Sequence, residues 1–235
     1  MRRFYKSATA APDPGGRGFR ILLDGRPVHT PAKAVLVVDN PALAEAVAAE
    51  WAAQEEEIDR RYMALTALCC TALDLVAPER ARVIDEIAAY AGHDLLCYRA
   101  EAPRDLAARQ QALWQPLLDW AALSYDAPLA VTSGIVSITQ PQASLDALRR
   151  VVTGASDIEL AALASAVRAA GSLIIALALR AGHIDAAAAF EAASLDETYQ
   201  AERWGRDPEA EARRTAVRDD LVAAARIFAL LRTAS

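Results

Sequence analysis

Cysteine is scarce in this chain: Cys69, Cys70 and Cys97 are the only three in 235 residues, and two are adjacent. An odd count at that spacing suits neither a disulfide framework nor a zinc site, and it fits reduced, buried thiols in a cytoplasm. Histidine is as scarce. His29, His93 and His183 stand alone, so no His-x-x-x-His or Cys-x-x-Cys pair puts two ligands on one face, and no metal is expected. Glycine clusters once, at Gly15-Gly16-Arg17-Gly18, but the Gly-Lys-Ser/Thr ending of a phosphate loop is missing; no nucleotide or other cofactor is expected. The longest apolar run, Leu173 to Leu179, is far too short to span a bilayer, which excludes membrane insertion. Two arginines open the chain, yet Phe4, Tyr5 and Lys6 interrupt any apolar leader. Positive charge is also in deficit. With 25 basic and 31 acidic residues the net charge is −6, which argues against nucleic acid and against an anionic membrane surface as partners.

What is present is the balance of a folded globular protein: 54% apolar and 24% charged residues. Near the start, Phe19, Ile21 and Leu23 are followed by Asp24-Gly25, a hairpin turn signal, and then by Val28 and Thr30. Val35 to Val38 is a third β-prone run. So few strands are unstable alone and must lean on the helical remainder of the chain. The fold class read from this is α+β: a small β-rich domain over residues 1–39, then a mainly helical domain over 40–235.

From Asn40 the period becomes helical. Asn40 and Pro41 open a helix whose inward stripe is Leu43, Val47, Trp51 and Gln54. Further helices are predicted over Pro78–Ala91 and about Asp105–Ser124, the latter kinked at Pro116. Leu129, Val131, Thr132, Ile135, Val136 and Ile138 read as a strand. Ser156 and Glu159 form a capping box for a helix expected to run through Arg180 to Gly182, with Gly171 and Ser172 inside it easing close helix approach. Asp185 caps the next helix, predicted to carry Ser194 to Gly205, and Asp207-Pro208-Glu209 starts the last.

The search for chemistry yields little. No Gly-x-Ser-x-Gly elbow is present, and Glu55-Glu56-Glu57 reads as a solvated face. His93 near Cys97 leaves a small-hydrolase reading open, and a non-catalytic helical scaffold is a third possibility. The most telling stretch is Ser194 to Gly205, rich in acids and carrying Tyr199 and Trp204. Leu195, Tyr199 and Glu202 share one helical face, and Asp196, Gln200 and Arg203 the next. Aromatics beside charged groups suit a binding hot spot, or they close a core; the spacing alone allows both.

Several stretches, in this order, resemble one family: Arg3-Phe4-Tyr5-Lys6; Leu23 to Val28 with Thr30-Pro31-Ala32-Lys33; Ala49-Glu50-Trp51 with Gln54; Thr71-Ala72 with Asp74; Tyr90 with Asp94 to Arg99; Trp114 with Pro116-Leu117-Leu118; Gly171-Ser172; and Leu195-Asp196-Glu197 with Gln200, Trp204 and Gly205. The chain resembles the assembly chaperones of the F1-ATPase alpha subunit, found in mitochondria and alphaproteobacteria. One departure is Ala64, where the family commonly has proline. The resemblance implies a non-enzymatic cytoplasmic protein that binds the unassembled alpha subunit and yields it to beta. It implies partner contacts at Asp196, Glu197, Gln200, Glu202, Trp204 and Asp207, supported by Trp51, Tyr199 and Gly205. Within the helix, Tyr199 and Trp204 are expected to be the anchors.

Overall fold

A computed structural model describes residues 1–134, 137–205 and 207–233. The chain is α+β and forms two compact units. One holds Met1–Arg80 with Ser156–Ala162 and the segment from Arg226; the other holds Ala81–Ala155 and Leu163–Ala225.

In the first unit, strands β1 (Ala8–Pro12), β2 (Phe19–Leu23), β3 (Arg26–Pro27) and β4 (Val37–Val38) make an antiparallel sheet centred on β2. The turn between β2 and β3 places Asp24 at φ 48° and Gly25 at φ 80°, the two left-handed positions that a twist-matched two-residue hairpin needs. The Asp24 carboxylate accepts from the Lys6 and Ser7 amides at 2.8–3.1 Å, which pins the segment leading into β1. Helix α1 (Pro41–Ala52) is capped as expected, with the Leu43 amide donating to Asn40 Oδ1 at 2.9 Å.

Helix α2 (Ala64–Thr71) was not evident in the sequence; it continues as a π turn over Ala72–Val76. Its first residue is Ala64, a position that tolerates proline and equally tolerates alanine, so the departure there leaves the helix intact. No residue of its own caps α2. Glu50, 7% exposed on α1, does so instead: its carboxylate accepts from the Leu65 and Thr66 amides and the Thr66 hydroxyl, each at 2.8 Å.

The second unit contains most of α3 (Arg80–Ala89), then a pair of parallel two-residue strands, β5 (Tyr98–Arg99) and β6 (Thr132–Ser133). The strand expected around Val131 shrinks to β6 for a visible reason. Both backbone groups of Ala130 are taken by the Gln140 side-chain amide, at 2.8 and 3.0 Å, and are lost to any ladder. Ile135 and Val136, also assigned to that strand, lie outside the described residues.

Helix α4 (Arg104–Tyr125) runs through Pro116, and α5 (Gln142–Thr153) follows. The Ser156–Glu159 capping box is present, with the Ser156 amide donating to Glu159 Oε2 at 2.8 Å, at the head of α6 (Asp157–Ala170).

The long helix expected from there to Gly182 is two helices. Gly171 at φ 64° ends α6, and Ser172 caps α7 (Leu173–Ala181) by accepting from the Ile175 amide at 3.0 Å. The buried Asp94 carboxylate reinforces this break, accepting from the amides of Leu96 and Ile174 at 3.1 Å and from Ser172. The greasy run is α7 itself, and every residue from Leu173 to Leu179 is buried. At ~1.5–3 kcal/mol for each large aliphatic side chain, α7 is a substantial apolar contribution to the second unit. Asp185 caps α8 (Ala186–Ala193) as expected, but α8 stops before the Ser194–Gly205 segment, which forms its own helix, α9 (Leu195–Trp204). The last helix, α10 (Pro208–Arg232), begins after Asp207.

Candidate functional site

α9 is a short helix with few apolar residues, so packing alone holds it weakly. Its inner face contributes Leu195 and Tyr199, 8% and 3% exposed. A set of polar bonds to α4 supplies the rest. The Tyr199 hydroxyl donates to Asp105 Oδ1 at 2.9 Å, and Arg203 donates to the other oxygen of the same carboxylate at 2.6 Å. The Arg203 guanidinium also lies 4.5 Å from the Tyr199 ring centre, with Arg109 at 5.4 Å from the same ring. Arg109 pairs with Glu202 at 2.7 Å. Gln110, 1% exposed, donates to Asp196 Oδ1 at 2.8 Å while its own Oε1 accepts from the Ala100 amide at 2.7 Å. From α10, Arg214 donates to the Thr198 hydroxyl at 2.9 Å.

These bonds sort the expected site residues into two groups. Asp196 and Glu202 are engaged inside the molecule, holding α9 to α4. Asp207 caps α10, its Oδ2 accepting from the Ala210 amide at 2.8 Å, while Gly205, at φ 92°, ends α9. Glu197, Gln200 and Trp204 are different. At spacings of three and four they line the outer face of α9, all exposed, and none of their side chains has a hydrogen bond, ion pair or ring contact among the described residues. Trp204 is 77% exposed, which overturns the expectation that it anchors the helix with Tyr199. The reason is geometric. Trp204 is five positions beyond Tyr199, about 140° further round the helix, so when Tyr199 points to α4, Trp204 projects elsewhere from the helix surface.

Tyr199 and Asp105 share electrostatics as well. The Tyr199 hydroxyl, and after it Arg203, hold the Asp105 carboxyl below the usual range against an opposing effect of partial burial. Burial, and then the Asp105 hydrogen bond, push the Tyr199 phenol up.

The other candidates sit elsewhere. Trp51, in the first unit, is half-buried; its ring meets Tyr5 edge-on at 5.8 Å, its carbonyl accepts from the Tyr5 hydroxyl at 2.7 Å, and its indole N–H is buried with no hydrogen-bond partner among the described residues. Cys97 is fully buried and its thiol is pushed up to about 12, chiefly by burial, so it holds its proton at neutral pH and is a poor nucleophile. His93 is exposed and rests against the Tyr90 ring at 5.2 Å. Among the described residues no group of three or more His, Cys, Asp or Glu side chains is arranged to hold a metal ion, and no helix is long and apolar enough to cross a membrane.

Two features the sequence did not announce matter here: Gln110, which ties α9 to the residue just after β5 through Asp196 and Ala100, and Arg109. Both lie on α4, and neither side chain stands out from its neighbours in a helical pattern.

The family model described as ATP12 chaperone protein matches residues 2–122. This chain belongs to the ATP12 chaperone family. It is 26% identical over 220 residues to the mitochondrial protein atp12 of Schizosaccharomyces pombe, covering 87% of this chain and 74% of that one. The crystal structure of Atp12 from Paracoccus denitrificans is 41% identical, with a TM-score of 0.92 over 97% of both chains. That of Atu1473 from Agrobacterium tumefaciens is 38% identical, with a TM-score of 0.93 over 98% of this chain and 86% of that one. Likeness at this level extends the ATP12 fold well past residue 122, through α9 and α10.

Proposed function

We propose that this ATP12-family chaperone acts in the bacterial cytoplasm in ATP synthase assembly, binding the unassembled alpha subunit of the F1-ATPase through the outer face of α9. The carrying observation is that Glu197, Gln200 and Trp204 form one exposed stripe with no partner among the described residues, on a helix whose other polar side chains are spent on anchoring it. An exposed tryptophan beside unpaired polar groups is the composition of an interface centre. In this reading Glu197, Gln200 and Trp204 touch the partner, Asp196 and Glu202 hold the helix that presents them, and Asp207 and Gly205 shape the exit from it.

The physical logic needs no chemistry. A free alpha subunit exposes the apolar surface that beta will cover, and such a surface promotes aggregation. A chaperone that shields it must bind less tightly than beta does, so that beta displaces it by mass action without nucleotide.

The test mixes purified alpha subunit with this protein and follows co-elution on a sizing column and light scattering. Wild type co-elutes, lowers scattering and releases alpha when beta is added; Glu197→Lys and Trp204→Ala, folded as judged by circular dichroism, do neither. Wild type that fails to bind alpha sinks the reading, and variants that bind as wild type does move the interface off α9.

A further inference from the structure

The first unit contains a cavity of about 590 Å³ that the α9 reading leaves unused. That volume lies within the range of ligand pockets, about 300–1,000 Å³. Its walls come from residues 28–31, the end of α1, residues 58–63, α2 with the π turn after it, and Met1, which is held in place because the Ile58 amide donates to the Met1 carbonyl at 2.7 Å and the Arg3 amide to that of Glu56 at 2.8 Å.

Four observations say what would fill it. The sequence has two methionines, Met1 and Met63, and both line this cavity; flexible, polarisable thioethers suit a surface that accepts varied apolar shapes. Met1 and Leu75 on its wall are 70% and 59% exposed, so the apolar lining opens to solvent. Trp51 lines it too, and its ring adds a rigid aromatic surface to the apolar lining. Finally, Arg60 lines the cavity as an exposed guanidinium with no ion pair among the described residues. The one carboxylate on the wall, Asp74, is already bonded to the Thr30 hydroxyl at 2.7 Å and the Ala32 amide at 3.0 Å.

We propose that this cavity is a second client-binding site, which takes an apolar peptide segment bearing an acidic side chain. The segment's apolar side chains fill the methionine-lined space beside Trp51, and its carboxylate pairs with Arg60. The inference rests on membership of a chaperone family and not on α9 or the alpha subunit. Cys70 on the same wall keeps its proton, its thiol pushed up to about 11 by burial and then by Asp74, so it adds no competing charge.

The probes are two fluorescein-labelled peptides, Leu-Phe-Leu-Glu-Leu and Leu-Phe-Leu-Lys-Leu, titrated with the full-length protein in fluorescence polarisation. Two variants of exposed wall residues leave the core untouched. Ala67→Trp fills the mouth, and Arg60→Glu reverses the charge. The acidic peptide binds saturably and more tightly than the basic one. Ala67→Trp weakens both by about tenfold or more, and Arg60→Glu reverses the preference between them. Glu197→Lys changes neither, which separates this site from α9. Absence of saturable binding, or binding indifferent to Ala67→Trp and Arg60→Glu, overturns the proposal. Should Ala67→Trp fail to fold, Arg60→Glu decides alone.

Discussion

Replacing Glu50 by glutamine changes one atom of a buried side chain and puts a donor where an acceptor is required. In the native protein Glu50 Oε1 accepts from the Leu65 amide, and Oε2 from the Thr66 amide and hydroxyl. A glutamine has one oxygen. Whichever way it is turned, its NH2 group faces a backbone N–H in the first turn of α2, and that N–H is left unpaired at ~1–3 kcal/mol. The surviving bonds fall from charge-assisted to neutral, about half as strong. The helix start also loses a compensating negative charge, up to ~2 kcal/mol in a partly buried geometry. Against this, a neutral amide carries a smaller burial penalty than a carboxylate, which offsets a kcal/mol or two. The net loss is about 2–3 kcal/mol, a large share of a stability of ~5–15 kcal/mol.

Urea unfolding followed by far-UV circular dichroism reads this directly: Glu50→Gln shifts the midpoint down by about 1 M, whereas Glu45→Gln, at an exposed position of the same helix, stays within ~0.5 kcal/mol of wild type. Hydrogen exchange localises the effect, since the amides of α2 lose more protection than those of α1. Equal midpoints for the two variants would refute the assignment of Glu50 as the cap of α2.

The two aromatics of α9 separate fold from surface. Tyr199→Ala lowers stability by ~3–5 kcal/mol in thermal unfolding, whereas Trp204→Ala stays within ~0.5 kcal/mol; similar losses at both would mean that Trp204 is packed after all. Asp94→Asn sets an NH2 group against the amides of Leu96 or Ile174 and costs about 2–4 kcal/mol by calorimetry, and an unchanged melting temperature would show that the Gly171–Ser172 break does not depend on this carboxylate. Acid should release α9. The folded pKa of Asp105 is depressed, so its contribution is complete above the unfolded value of about 3.9 and is lost as pH falls through the folded value. Exchange of α9 amides therefore accelerates relative to α7 below about pH 4, and Asp105→Asn abolishes that acid-dependent step; parallel profiles for wild type and variant would exclude Asp105 as the acid-labile link.

Much of the fold is legible in local signals, because caps and turns depend on one or two residues. Asn40, Asp24-Gly25, Ser156–Glu159, Gly182 and Asp185 each do what their side chains or backbone freedom dictate. The failures are non-local. α2 lacks a cap of its own and is started by Glu50, on another helix. The break at Gly171-Ser172 reads as a close-packing pair until Asp94, far away in sequence, supplies acceptors for the start of α7. The stretches that carry the family resemblance look unrelated along the chain, yet several are partners in space: Tyr5 with Trp51, Thr30 with Asp74, and Asp94 with Ser172.

The same distinction governs the site. Helical periodicity tells which residues of Ser194 to Gly205 share a face, and it groups Asp196 with Gln200 and Glu202 with Tyr199. It says nothing of which face is already taken. That is decided by α4, where Asp105, Arg109 and Gln110 claim Tyr199, Arg203, Glu202 and Asp196. An acidic side chain whose hydrogen bonds are spent inside the molecule must break them before it can bind a partner, at ~1.5–3 kcal/mol for Asp196 on the buried Gln110 and up to ~1 kcal/mol for the exposed Glu202–Arg109 pair. Glu197, Gln200 and Trp204 bear no such penalty, so any partner that docks on α9 gains most from these three. A charge reversal at Glu202 would then weaken binding only as far as it loosens α9, with a parallel rise in α9 exchange. Reversal at Glu197 would weaken binding with the exchange of α9 unchanged, and that dissociation marks Glu197 as a contact and Glu202 as a support.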